Sequence, residues 1–273
     1  MVLPIPLKQI LFYMLLLLSL LSYSCSDEDE ETHLPSEPRL SKVLVKNTRI
    51  NVNDLLTFTY TYRSGLLTEY RGKSEIIGSL FSSSYTYDNN RRLIHAQYPE
   101  DSDTLIYDKT GRLKSATVTE FDRGFRTTRT YSFVYDTGGR PKRVNIGGDF
   151  GPSHALLLSF DDWGNVIKEE LFRLDDTTLS IKEYTTRITY DAKKNPWRGV
   201  GSPFIDVFFA PENSILSTGH QFIAFFSPNN PVEIKTDIFY ANDTKIEYEY
   251  NSEGYPKEIR FGDLVQTLEY IRD

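Results

Sequence analysis

The sequence predicts an all-β fold, a curved antiparallel meander of about 12–16 strands built from repeated hairpins, barrel-like or half-closed and water-soluble. Two observations carry this. One turn signature recurs six times, and the segments that flank it alternate aromatic with polar side chains.

The signature runs aromatic, Asp, two polar residues, Gly, polar, apolar. It begins at Tyr87-Asp88, Tyr107-Asp108, Tyr135-Asp136, Phe160-Asp161, Tyr190-Asp191 and Tyr250-Asn251, and a copy one residue short follows Tyr60 and Tyr62. Each part has a physical role in a hairpin. The aromatic closes a strand on its buried face, and the Asp side chain bonds backbone two residues on, which starts a type I turn. Gly four residues after the aromatic takes the left-handed conformation that makes the bulge of a short loop. Gly111, Gly139, Gly164 and Gly254 fill that place, whereas Arg91 and Lys194 replace it in two copies. Those two turns are expected to be strained by about 1 kcal/mol or to adopt another loop.

The flanks have period two. Tyr131, Phe133 and Tyr135 alternate with Thr130 and Ser132; Ile246, Tyr248 and Tyr250 alternate with Lys245, Glu247 and Glu249; Phe58, Tyr60 and Tyr62 alternate with Thr57, Thr59 and Thr61. An aromatic face opposite a Thr/Lys/Glu face describes an antiparallel sheet with one side in water. An apolar band facing lipid would look different.

The frame breaks over residues 196–235, which hold Phe204, Phe208, Phe209, Phe222, Phe225 and Phe226 among prolines and glycines. Two short helices, Pro203–Phe209 and Thr218–Phe226, suit this insert. It reads as a plug that fills the sheet's interior; the alternative is a mobile lid or binding loop.

The first residues read as an address. Lys8 precedes an apolar run from Ile10 to Leu21, too short to span a bilayer as a helix but suited to a signal peptide. Residues 1–24 are therefore expected to be removed, leaving Cys25 first. Residues 25–39 form an acidic tether, and 40–273 form one β domain.

Composition narrows the function classes. Lys and Arg number 31 against 38 Asp and Glu, a net charge of −7, so a nucleic-acid partner is not expected. One Cys and four His leave no disulfide and no thiolate metal cage. No phosphate-binding loop, nucleophile elbow or His-Glu-x-x-His occurs, and Gly199-Val-Gly201 starts a dinucleotide fingerprint that Pro203 ends. No cofactor, metal or catalytic residue is expected. The acid pairs Asp161-Asp162, Asp175-Asp176 and Asp101/Asp103 lack the spacing of a Ca²⁺ loop. His95, His154 and His220 lie apart. Trp163 is the unusual residue, an aromatic at a hairpin-turn position, which either folds over a neighbouring turn or offers a plane to a sugar ring. Trp197 is a second candidate contact, with a packing role as its alternative.

Several of these motifs resemble known ones. Leu21-Ser22-Tyr23-Ser24-Cys25 resembles a bacterial lipobox, which implies a diacylated Cys25 held in a lipid bilayer. The run Ser26, Asp27, Glu28, Asp29, Glu30 resembles the acidic export tag of Bacteroidetes surface lipoproteins; a plain solvated tether is the alternative. Asp103-Thr104-Leu105 and Asp176-Thr177-Thr178 resemble a short O-glycosylation signal of exported Bacteroidetes proteins. Tyr107-Asp108…Gly111-Arg112-Leu113 resembles the YD repeats of the Rhs family, which wind into β-sheet shells. Tyr190-Asp191…Lys194-Asn195-Pro196-Trp197, Ser227…Asn229-Asn230-Pro231 and Tyr248…Gly254-Tyr255-Pro256 are similar to a Bacteroidales lipoprotein family of unknown function with a porin-like fold. That resemblance, over roughly residues 82–273, implies a β fold and assigns no activity or site.

The resulting expectation is a non-enzymatic lipoprotein on the outer face of an outer membrane, binding a glycan or host macromolecule. The alternative is a structural partner of an outer-membrane protein complex, and the third reading is a glycoside-type hydrolase. Cys25→Ala is expected to release the protein from the membrane fraction of its host. Continued sedimentation of that variant with membranes would refute the lipid anchor.

Overall fold

The computed structural model describes residues 37–47, 55–76, 78–122, 125–149, 153–176, 178–201, 221–237 and 243–272. Cys25 and the acidic run Ser26–Glu30 lie outside the described residues, as do His220, Phe204, Phe208 and Phe209.

Sixteen strands are present among the described residues. They are β1 (Arg39–Asn47), β2 (Leu55–Arg63), β3 (Leu66–Ser74), β4 (Gly78–Tyr87), β5 (Leu93–Gln97), β6 (Ser102–Tyr107), β7 (Leu113–Asp122) and β8 (Phe125–Tyr135). The second half has β9 (Pro141–Gly148), β10 (His154–Phe160), β11 (Val166–Asp175), β12 (Thr178–Lys194), β13 (Asn229–Thr236), β14 (Thr244–Tyr250), β15 (Pro256–Phe261) and β16 (Leu264–Ile271). Each pairs antiparallel with its neighbours in sequence, and β1 pairs with β16 from Arg39↔Ile271 to Asn47↔Leu264, which closes a barrel. The single helix among the described residues is α1 (Gln221–Phe226).

The recurring signature forms the hairpins at one end of this barrel. In the β6–β7 turn, Asp108 Oδ1 accepts hydrogen bonds from the backbone N–H of Thr110 (2.8 Å) and Arg112 (3.0 Å). The N–H of Gly111 bonds the Asp108 carbonyl at 3.0 Å, and the register slips by one residue between Ile106 and Tyr107. Such a turn with a bulge needs a left-handed residue. Gly111, Gly139, Gly164 and Gly254 have φ of 85°, 82°, 93° and 82°. Arg91 stands at φ 63°, the strain expected of a side chain in that place. The shorter copy makes a two-residue turn with Ser64 and Gly65 both at positive φ, the primed hairpin geometry. At Lys194 there is no hairpin: β12 runs on to Lys194 and the insert follows.

Adjacent hairpins are fastened through the signature's aromatic. Tyr87 donates its hydroxyl to the Leu67 carbonyl (2.9 Å), Tyr107 to Leu93 (2.8 Å), Tyr135 to Leu113 (2.7 Å) and Tyr190 to Val166 (2.8 Å). Each acceptor is the apolar residue that ends an earlier copy. Tyr248 and Tyr270 repeat the contact to Pro231 and Pro256. The signature's Arg joins the same seam. Arg112 pairs with its own Asp108 at 3.0 Å, and its guanidinium carbon lies 4.8 Å from the centroid of the Tyr135 ring. Arg92 does the same with Asp88 and Tyr107.

Sixteen strands enclose more space than ordinary aliphatic side chains fill. Inward positions answer with large aromatics, including Phe58, Tyr60, Tyr70, Tyr85, Tyr131 and Phe133, all buried. The Tyr60 and Tyr70 rings lie 4.9 Å apart and Phe58 stacks on Tyr70 at 5.8 Å. The insert supplies the rest. Trp197 is 0% exposed, Phe222 2% and Ile223 1%, and Phe222 meets Tyr131 and Phe133 edge-on at 6.5 and 6.0 Å. Fully burying each of these side chains stabilises the fold by roughly 1.5–3 kcal/mol. This part of the insert is the plug. Its last residues belong to the wall instead, since Asn229–Thr236 pairs back onto β12.

The outward face is charged. Lys42 pairs with Glu269 at 3.0 Å across β1–β16, Lys235 with Glu233 at 3.0 Å, and Arg260 with Glu249 at 3.3 Å. A bilayer would charge about 2–4 kcal/mol for each Lys or Arg at its midplane, so this wall suits water.

Two predictions follow from this architecture. Among the described residues no atom lies within 4 Å of the place a Cβ would take at Gly164, so Gly164→Val tests backbone conformation alone; it should lower stability by about 1–2 kcal/mol in chemical denaturation. An unchanged midpoint would contradict the left-handed turn. Burial raises the Tyr87 and Tyr135 phenols from 10.0 to about 12. The unfolded chain therefore loses these protons first, so their contribution is complete below pH 10 and is lost as pH rises through about 12. Phenolate absorbance should appear together with loss of β circular dichroism. Full ionisation near pH 10 in a folded barrel would show that the hydroxyl ladder is absent.

Candidate functional site

The turn that carries Trp163 is held from both sides. Asp161 Oδ1 accepts the Asn165 N–H at 2.8 Å, while Asp161 Oδ2 accepts Asn165 Nδ2 at 2.8 Å. From the preceding hairpin, Arg140 donates to the carbonyls of Asp161 (2.7 Å) and Asp162 (3.4 Å). From the other side, Asn165 and Asn229 exchange two hydrogen bonds, 3.1 Å from side chain to side chain and 3.0 Å from the Asn229 N–H. On this base Trp163 is 80% exposed, the most exposed large apolar side chain among the described residues. It does not fold back over a neighbouring turn. A hydrogen-bonded backbone beneath an exposed aromatic plane is pre-ordered, so a flat ligand that stacked there would cost the turn little entropy.

Trp197 has a different place. It lies wholly inside the barrel, and its backbone N–H bonds Asn195 Oδ1 at 2.9 Å. Asn195 in turn donates to the Ser227 carbonyl at 2.8 Å, and the Ser227 hydroxyl accepts the Val166 N–H at 3.1 Å. A ligand outside the barrel does not reach Trp197.

The three motifs that carry the lipoprotein-family resemblance converge at the seam between plug and wall. Asp191 Oδ1 accepts the N–H of Lys193 (2.8 Å) and Asn230 (3.3 Å), and Tyr250 donates its hydroxyl to Asp191 Oδ2. Asn230 Nδ2 reaches the Lys194 carbonyl at 3.0 Å, and Asn229 Nδ2 the Lys193 carbonyl at 3.1 Å. Burial first, then the bond to Asp191, holds the Tyr250 phenol well above its ordinary value. This network replaces the missing hairpin at Lys194 and fastens both ends of the insert.

Other sequence candidates are dispersed. Asp101 Oδ1 accepts the Phe121 N–H at 2.8 Å, whereas Asp103 is 1% exposed and accepts the Tyr98 hydroxyl at 2.8 Å. His154 Nε2 lies 3.2 Å from Glu183, and His95 lies near Thr104. No cluster of three metal-ligating side chains occurs among the described residues.

One feature was missed from the sequence. The outer wall of β7–β9 carries a cleft of about 890 Å³. Its floor is hydroxyl-rich, with Ser115 and Thr117 from β7 and Thr130 and Ser132 from β8. Lys142, Arg143 and Asn145 of β9 line it as well, together with Leu174 and Asp176 of the β11–β12 hairpin. The alternation had marked Thr130 and Ser132 as outward, but only the folded register sets them beside Asn145 and Gly147.

Two crystal structures share the fold. A porin-like protein from Bacteroides uniformis is 16% identical, with a TM-score of 0.52 over 86% of this chain and 98% of that one. Another porin-like protein, from Bacteroides vulgatus, is 12% identical, with a TM-score of 0.51 over 86% of this chain and 99% of that one. No curated protein matches the chain. The family described as Teneurin YD-shell matches residues 32–214, which takes in the hairpin copies from Tyr62 to Tyr190, and the chain belongs to this YD-shell family.

Proposed function

We propose that the protein is a non-enzymatic, lipid-anchored surface barrel that binds a glycan through the β10–β11 turn. The observation that carries this reading is Trp163, an exposed indole on a turn clamped by Arg140 and Asn229. The lipobox-like Cys25 and the acidic run after it support display on the outer face of an outer membrane. The YD-shell family and the porin-like neighbours agree with a surface or structural role.

Hydrolysis finds less support. A glycosidase needs two carboxylates flanking an open cleft. Among the described residues the buried acids are Asp103 and Glu169, 1% and 0% exposed, and neither opens onto a cleft.

A thermal-melt screen of the purified chain against host and dietary polysaccharides tests the proposal. A ligand at about a hundred times its Kd stabilises the fold by about 2.7 kcal/mol, a shift of roughly 5 °C or more for a domain near this size. The expected result is a shift with one glycan class that Trp163→Ala abolishes. A flat panel, or a shift that Trp163→Ala leaves intact, would overturn binding at this turn. A flat panel would also favour the assembly-partner reading.

A further inference from the structure

We propose that the cleft on the outer wall of β7–β9 is a second binding site, for an acidic saccharide whose carboxylate or sulfate is received by Lys142 and Arg143. Its volume, about 890 Å³, lies in the range of small-ligand sites, with room for a few sugar rings.

The polar groups there are positioned before any ligand arrives. Arg143 Nε donates to Asn145 Oδ1 at 2.6 Å, and Asn145 Nδ2 donates to the Ser132 hydroxyl at 3.2 Å. That chain crosses from β9 to β8 and fixes the guanidinium plane. Among the described residues Arg143 is engaged through Nε alone, which leaves its terminal nitrogens for a ligand. Guanidinium nitrogens so presented grip a carboxylate or sulfate in two parallel bonds.

Charge points the same way. Cations on this barrel wall commonly face a carboxylate, as Lys42 does Glu269, Lys168 does Glu170 and Lys257 does Glu249. Among the described residues Lys142 and Arg143 form no ion pair, although they are adjacent and line one cleft. Among the described residues of the lining the single carboxylate is Asp176, on the β11–β12 hairpin rather than on β9, and held at φ 53°. It repels an acidic group and accepts hydroxyls, which orients the saccharide with its acid toward β9. The whole chain carries −7, so long-range attraction does not help an anion. Capture rests on the local pair.

The site is independent of Trp163, and the test separates the two. The full chain is titrated calorimetrically with an oligogalacturonide, a chondroitin sulfate oligosaccharide, neutral maltohexaose and a single-stranded DNA of similar charge. Binding of one or both acidic oligosaccharides, but not of maltohexaose or DNA, is expected. Uronate or sulfate as the preferred acid is read from the first two arms. Lys142→Gln and Arg143→Gln should each weaken binding by about tenfold or more, whereas Trp163→Ala should leave it unchanged. Because Arg143 also braces Asn145, the exposed Lys142→Glu serves as the second variant, judged at an unchanged thermal midpoint. Equal binding of DNA, equal binding of the neutral sugar, no binding of either acid, or wild-type affinity in Lys142→Glu would each overturn the proposal. So would loss of acidic-sugar binding in Trp163→Ala alone.

Discussion

The barrel depends on one contact made again and again: a tyrosine hydroxyl donating to a backbone carbonyl of a neighbouring hairpin. The strand ladder joins strands along their length, but nothing in it fixes where one turn sits relative to the next. The Tyr87–Leu67, Tyr107–Leu93 and Tyr135–Leu113 bonds do that at the turn end. A buried phenol without a partner would cost about 1–3 kcal/mol, so the alternative registers are penalised as well as the native one favoured. The guanidinium of Arg92 or Arg112 over the next ring adds a cation–π contact to the same joint. This gives each letter of the signature a job. Tyr reaches back to the earlier copy, Asp builds the turn, Gly permits it, Arg reaches forward, and the last apolar residue offers its carbonyl.

The joint has a gap at Phe160, which has no hydroxyl to donate. There Arg140 compensates, lying over the Phe160 ring at 6.0 Å while bonding the Asp161 and Asp162 carbonyls. The fifth copy is a larger departure. Its hairpin is replaced by the plug, and the network of Asp191, Asn229, Asn230 and Tyr250 does the fastening instead. The turn proposed to bind a glycan sits beside both departures: it follows Phe160, and Asn229 braces it from the plug's exit strand.

Much of the fold was legible because its signals are local. Period two around Tyr131 and Phe133, and the fixed interval from Asp108 to Gly111, are properties of a few consecutive residues. For the plug, the sequence pointed to Phe222, which is buried, but not to the pairing of Asn229–Thr236 with β12, since Pro231 and Asn230 break the strand pattern. Trp163 stood out by type and turn position, but its exposure depended on Arg140 and Asn229, distant in sequence. The cleft was invisible for the same reason. Its lining draws on three strands laid side by side and on a hairpin some thirty residues later, and Ser, Thr and Asn on an outward face look alike wherever they occur. The role of Tyr in the signature was only half seen, because its hydroxyl acts on a different copy.

Pairing of β1 with β16 has a consequence for the order of events as the chain is made. The two strands lie at opposite ends of the sequence, so the edge of β1 has no partner until the last strand arrives. Until then a long edge is open to any other extended chain. The hairpins between them can form one by one from short-range contacts, each handing a carbonyl to the next tyrosine, while closure pays the entropy of joining distant segments. Fifteen pairings between strands consecutive in sequence thus stand against one between distant strands, and the open ribbon becomes a cylinder only when β16 meets β1.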